Sequence, residues 1–237
     1  MNRITRFELA ARAKDAFYSA LPLPIAKSLI RISPGSTPFI KEMDDLGVIF
    51  VHIPKAAGTT LKKEIYGDTA HYGHRRFVEY LAYDEQRSRR LFTFAVCRNP
   101  FERFISTFNY LRNGRITRRD RLFASNFLAN FENSSEFAEA LEDPVFRFRV
   151  MHYDHLRCQT HWTNMPGVSN THALDLVCRL EDFPQSLSKL EERLGFKIDS
   201  SRYERATARD EKASDLTPKA RKIIEHVYQS DFRTFGY

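Results

Sequence analysis

An α/β fold with a central parallel sheet flanked by helices is what this sequence predicts, and three observations carry it. Short apolar, β-rich runs recur at residues 47–53, 91–97 and 173–180. Each is followed by a segment with helical periodicity. The runs lie far enough apart for a crossover helix, which parallel strands require and hairpins do not.

The chain has 237 residues, 42% of them hydrophobic and 13% aromatic, which suits one domain with a packed core. Nine Gly and ten Pro exclude collagen-like and low-complexity classes. Lys plus Arg outnumber Asp plus Glu by 37 to 30, a formal charge of +7, and Arg supplies 26 of the 37. Arg binds phosphate, sulfate and carboxylate in a bidentate fork. The charge alone fits nucleic acid, an anionic membrane or an acidic substrate.

Residues 4–20 read as an amphipathic helix carrying Ile4, Phe7 and Phe17, followed by a Pro-interrupted arm. This divides the chain into an N-terminal helical arm, 1–45, and a main domain, 46–237. The arm is expected to pack on the domain or to make a peripheral membrane contact. Its most apolar stretch, residues 16–32, is interrupted by Pro22, Pro24, Lys27 and Arg31. That falls short of the roughly 20 clean residues of a membrane span. Cys97, Cys158 and Cys178 form no Cys-x-x-Cys pair, so free thiols in a cytosolic, reducing compartment are expected.

The first strand runs into the loop Pro54-Lys-Ala-Ala-Gly-Thr-Thr60, and a helix opens at Leu61. A strand, a small-residue loop and a helix N-terminus bring backbone N–H groups to one point, which favours an anion. Lys55 adds a cation, and Thr59 and Thr60 add hydroxyls. Lys55 precedes the only Gly, so the order is not that of a Walker A loop. The second strand ends at Arg98 where a nucleotide hydrolase would be expected to end in a magnesium-binding Asp. Phe101, Phe104, Ile105, Phe108 and Leu111 then mark one apolar helix face, with Ser106 off it. Two anion sites on neighbouring strands suit a ligand phosphorylated at two places. Residues 112–170 read as helical in parts and as the place of acceptor-specific elements. The third strand precedes a helix at 184–194, and a single last helix is expected at 217–232.

Val51-His-Ile-Pro-Lys-Ala-Ala-Gly-Thr-Thr-Leu61 resembles the 5′-phosphosulfate loop of sulfotransferases. Val96-Cys-Arg-Asn-Pro-Phe-Glu-Arg-Phe-Ile-Ser106 resembles their 3′-phosphate motif. The particular form is similar to the Golgi-type carbohydrate sulfotransferases that include heparan and uronyl 2-O-sulfotransferases. Further similarity lies in Leu176-Val-Cys-Arg-Leu-Glu-Asp-Phe183 and in Asp231-Phe-Arg-Thr-Phe-Gly-Tyr237. The resemblance covers roughly residues 47–237 and is weakest over 108–158. It implies a P-loop-like sulfotransferase fold and 3′-phosphoadenosine 5′-phosphosulfate (PAPS) as co-substrate, with no metal. Lys55, Ala57, Gly58, Thr59 and Thr60 would hold the 5′-phosphosulfate, and Arg98 and Ser106 the 3′-phosphate. Lys55 would neutralise the leaving phosphate oxygen. Arg205 and Arg209 occupy the place of a loop that closes over PAPS in relatives.

Transfer to a hydroxyl needs a proton acceptor, and histidine serves near neutral pH. In His71-Tyr-Gly-His74 only the second histidine matches the His-Gly-His pair of heparan 2-O-type enzymes. His74 is therefore the expected base, with His71 as a supporting, substrate-side group. Gln159-Thr160 resembles a Gln-Thr before the acceptor region, which implies a substrate contact for Gln159. The run Arg112, Arg115, Arg118, Arg119, Arg121 reads as a solvated loop or as a clamp for an acidic glycan. Without a base-stacking motif, nucleic acid is not the expected partner. His155, Cys158 and His161 are spaced by three but lack a fourth zinc ligand, so ordinary partly buried residues are expected. The whole predicts a sulfotransferase acting on a glycan or glycoconjugate. An ATP-dependent P-loop-like kinase and a non-catalytic basic glycan- or nucleotide-binding module stand as alternatives.

Overall fold

A computed structural model of the chain describes residues 37–67, 73–113, 117–165, 172–199 and 212–237. Strands β1 (Val48–Val51), β2 (Phe92–Cys97) and β3 (Leu176–Arg179) form a parallel sheet in the order β1–β2–β3. Val48 pairs with Phe92 and Val51 with Ala95, while Phe94 pairs with Leu176 and Cys97 with Arg179. Every residue of β1 is buried, as in a sheet covered on both faces. The parallel α/β architecture expected from the apolar runs is therefore present.

Helix α1 (Lys41–Leu46) precedes β1, and α2 (Gly58–Tyr66) follows it. Helices α3 (Phe77–Tyr83) and α4 (Glu85–Arg90) lead to β2, from which α5 (Pro100–Arg112) departs. The stretch hardest to read in sequence holds α6 (Arg118–Phe127), α7 (Ser134–Ala140), α8 (Pro144–Val150) and α9 (Thr160–Thr163). Helix α10 (Phe183–Leu194) follows β3, and α11 (Pro218–Val227) and α12 (Gln229–Phe235) come last. The domain core starts before residue 46, because Phe39 and Met43 are buried against the sheet. The expected helix at 4–20 lies outside the described residues. Among the described residues no helix is long and apolar enough to cross a membrane.

Two apolar clusters share the load. In one, Phe50 of β1 and Phe94 of β2 stack at 4.8 Å. There the Tyr66 hydroxyl donates to the Val48 carbonyl and accepts from the Phe50 N–H. The other is helical: Phe104 and Phe108 of α5 stack on Phe137 of α7 at 5.4 and 5.9 Å. All five residues of the apolar face read on α5 are buried. The start of α5 is also local chemistry, since the Asn99 side chain accepts from the Phe101 N–H and Pro100 occupies the first turn.

The single last helix expected at 217–232 is in fact two. Tyr228 interrupts it, buried, with its hydroxyl donating to the Leu156 carbonyl at 2.7 Å. The break re-aims α12 so that Asp231 accepts from the N–H groups of Gln159 and Thr160 at 2.8 and 3.0 Å.

Arg103 of α5 is 1% exposed. Its Nε donates to the Pro54 carbonyl at 2.9 Å and its Nη1 to the Arg157 carbonyl at 2.8 Å. It thereby joins the loop after β1 to the segment before α9. Arg103→Leu should destabilise the chain by about 3 kcal/mol or more, from two lost charge-assisted bonds and the loss of the positive charge near buried Asp231. Urea unfolding measures this; a loss within experimental scatter would show that the two carbonyls are held by something else.

Candidate functional site

A cavity of about 280 Å³ opens beyond the carboxyl ends of β1 and β2, the edge where open α/β sheets bind ligands. Its wall joins both loops singled out in the sequence. From the first come Lys55, Ala57, Gly58, Thr59 and Thr60; from the second come Arg98 and Ser106. His74 lines the same cavity.

The first loop turns through two left-handed non-glycine residues, Lys55 at φ 67° and Ala57 at φ 59°. Helix α2 starts directly after Ala57, and no side chain caps it. The opening N–H groups of α2 are thus available to an anion rather than used by a cap. Gly58 is required by space: a Cβ there would stand 1.9 Å from the His52 ring. The Lys55 ammonium lies 3.7 Å from the Tyr110 ring centroid, a cation–π contact.

Arg98 is 4% exposed and ends β2. Gln159 grips its backbone from both sides, accepting from the Arg98 N–H at 2.9 Å and donating to the Arg98 carbonyl at 2.8 Å. Glu102, one turn along α5, lies 3.4 Å from the guanidinium. His74 Nδ1 lies 3.0 Å from the His52 carbonyl. A carbonyl only accepts, so the proton of neutral His74 sits on Nδ1 and the lone pair on Nε2. Burial lowers the His74 pKa, although the bond to His52 opposes the shift.

The sulfotransferase family model matches residues 39–237. The chain belongs to the sulfotransferase family. Sulfuryl transfer is therefore its chemistry in general, and the small parallel sheet flanked by helices fits that family's P-loop-like fold. No curated protein and no solved structure gave a match.

The cavity brings together Lys55, Ala57, Gly58, Thr59, Thr60, Arg98, Ser106 and His74, while other residues singled out in sequence lie elsewhere. Gln159 is wholly buried with both ends of its amide on Arg98, so the expected substrate contact is corrected to a structural clasp. Arg118 and Arg119 are exposed on α6 and are not among the described residues that line the cavity. Arg119 pairs with Asp154 at 3.1 Å. His71, Arg115, Arg205 and Arg209 lie outside the described residues.

Three wall residues escaped the sequence reading. The sequence assigns no site role to His52, Tyr110 or His155, yet all three line the cavity. Tyr110 carried a usable signal, because it lies four residues after Ser106 on the same helix face. His155 carries none, since the turn before α9 reaches the cavity only through tertiary packing. Among the described residues no group of three or more His, Cys, Asp or Glu is placed to hold a metal ion.

Two predictions follow from this geometry. Gly58→Ala should cost about 1–3 kcal/mol in urea unfolding as the His52 ring is displaced. Ala57→Gly, one residue earlier, should stay within about 1 kcal/mol of the parent, because relief of left-handed strain offsets added unfolded-state entropy. Equal losses in both would refute the steric account. His52 itself is buried, and burial, followed by neighbouring His74 and Lys62, holds its pKa well below the ordinary value. The unfolded chain then binds the extra proton, so this part of the stability is intact above about pH 6.5 and is lost on acidification. Stability should therefore fall progressively as the pH drops below about 6.5. His52→Phe should flatten that portion of the stability–pH curve between pH values of about 5.5 and 7.5; an unchanged slope would show that the proton is taken elsewhere.

Proposed function

We propose that this sulfotransferase moves a sulfuryl group from PAPS to a hydroxyl of a carbohydrate or glycoconjugate, with His74 as general base. The observation that carries the reading is one cavity holding Lys55, the uncapped start of α2, Arg98, Ser106 and a neutral His74 with its lone pair on Nε2. The donor supplies an already activated sulfuryl group. The chain must then neutralise charge on the departing phosphate oxygen and remove the acceptor proton.

Lys55 and the N–H groups opening α2 suit the first task. Arg98 and Ser106, on the adjacent strand and helix, suit a second phosphate held apart from the reacting one. His74 suits the proton. Its Nδ1–H is fixed on a backbone carbonyl, so Nε2 is the acceptor without any change of tautomer. Its lowered pKa keeps it neutral where an unperturbed histidine would already be half protonated. The charge of +7 favours an acidic glycan, with the arginine run as its approach. A cytosolic location belongs to the same reading, since Cys97, Cys158 and Cys178 are free thiols.

Calorimetry should find 3′,5′-ADP bound roughly 10- to 150-fold more tightly than 5′-AMP, the worth of one charge-assisted phosphate contact. Equal affinities would sink the roles given to Arg98 and Ser106. His74→Ala should lower kcat by about 10²–10⁴-fold and leave 3′,5′-ADP affinity nearly unchanged, whereas Lys55→Ala should weaken both. The acid limb of kcat/KM should fall below about pH 6.5, following the lowered His74 pKa in the free enzyme. Near-normal turnover in His74→Ala removes it from the mechanism.

A further inference from the structure

Behind the cavity wall stands a carboxylate that the mechanism above does not use. Asp120 is 4% exposed and sits in the first turn of α6. Its Oδ2 accepts from the Thr117 hydroxyl at 2.8 Å and from the Thr117 N–H at 3.1 Å. Its Oδ1 accepts from the Tyr153 hydroxyl and lies 3.5 Å from His155 Nε2. Burial, and then the nearby Asp120 charge, raise the pKa of Tyr110, which underlies the Lys55 ammonium. One carboxylate thus stands behind two residues of the cavity wall.

His155 is the more informative of the two. Its ring centroid lies 6.2 Å from that of His74 across the cavity wall. Burial lowers its pKa against the pull of Asp120, so the imidazole is neutral and has one N–H. A lone pair facing a carboxylate is repelled, so the proton belongs on Nε2 and the lone pair on Nδ1. Nδ1 is buried and has no hydrogen-bond partner among the described residues. An ordinary core histidine finds partners for both nitrogens, and an orphan beside a functional cavity calls for a reason.

We propose that His155, positioned by Asp120, is a second acceptor-side imidazole, whose Nδ1 accepts a hydrogen bond from a hydroxyl of the acceptor. This rests on the sulfotransferase reading above and extends it to a residue which that reading leaves idle. Phosphate and sulfate oxygens at neutral pH offer no hydrogen to a lone pair, and Asp120 repels them. A hydroxyl does offer one. Nδ1 is covered, so engagement needs a small turn of the ring, for which the long contact to Asp120 leaves room.

The test uses the full chain, 3′,5′-ADP as donor probe and fully desulfated heparin as acceptor probe. His155→Phe keeps the ring shape without nitrogens, and His155→Asn returns an amide near Nδ1. In transfer from PAPS, His155→Phe should raise the acceptor KM about three- to tenfold, the worth of one hydrogen bond. Its affinity for 3′,5′-ADP should stay within about twofold of the parent. His155→Asn should recover part of the loss, and imidazole ¹⁵N spectra of the parent should show the proton on Nε2. An unchanged acceptor KM in His155→Phe, a weakened ADP affinity, or a proton on Nδ1 overturns the proposal. If the parent binds ADP but does not sulfate desulfated heparin, the choice of glycan fails. The tautomer and the ADP affinity of His155→Phe then decide: Nε2–H with unchanged affinity upholds the proposal. A parent that does not bind 3′,5′-ADP removes the donor assignment beneath both readings.

Discussion

The buried guanidinium of Arg103 is the constraint on which the site depends. It reaches 49 residues back to the Pro54 carbonyl and 54 residues forward to the Arg157 carbonyl. Those two points flank the anion loop and the clasp around Arg98. A buried cation is costly unless an anion and hydrogen bonds compensate it. Asp231 supplies that anion: it is fully buried, and Arg103 pulls its pKa down against the larger upward push of burial. Asp231 in turn holds the Gln159 and Thr160 N–H groups, so α5, α9, α12 and the loop after β1 meet at one electrostatic junction.

Much of the two loops that wall the cavity was legible because their chemistry is local. The apolar runs at 47–53 and 91–97 read as buried strands, and Asn99-Pro100 announces a capped helix start in two letters. The loop between β1 and α2 declares itself by small residues, although no pattern marks Ala57 rather than a glycine as left-handed. What stayed hidden is long-range. Nothing in the spacing of His155 and Tyr110 places them on one wall with Asp120 behind it, because α6 and the turn at 151–158 arrive there by helix packing. Gln159 shows the limit of resemblance: a matching dipeptide does not reveal whether its amide faces a substrate or a backbone. Tyr228 shows the limit of periodicity, since the apolar spacing continues through a residue whose hydroxyl ends the helix.

The cavity combines a cationic donor side with uncharged imidazoles. His52, His74 and His155 all have pKa values lowered first by burial, and Lys62, Lys55 or Arg103 add to the effect. Three neutral rings thus stand among cations on one wall. Lys55 does not stand alone in this arrangement, because the Tyr110 ring beneath it fixes where the ammonium rests.

The contacts that assemble the site are directed at main chain. Arg103 bonds the carbonyls of Pro54 and Arg157, Gln159 bonds both backbone groups of Arg98, and Asp231 bonds two backbone N–H groups. A clamp that reads backbone is indifferent to the letters at the positions it grips. The grip on Arg98 therefore uses none of its side chain, which stays available to the cavity. A side-chain substitution on the cavity wall would then leave the frame's backbone contacts in place.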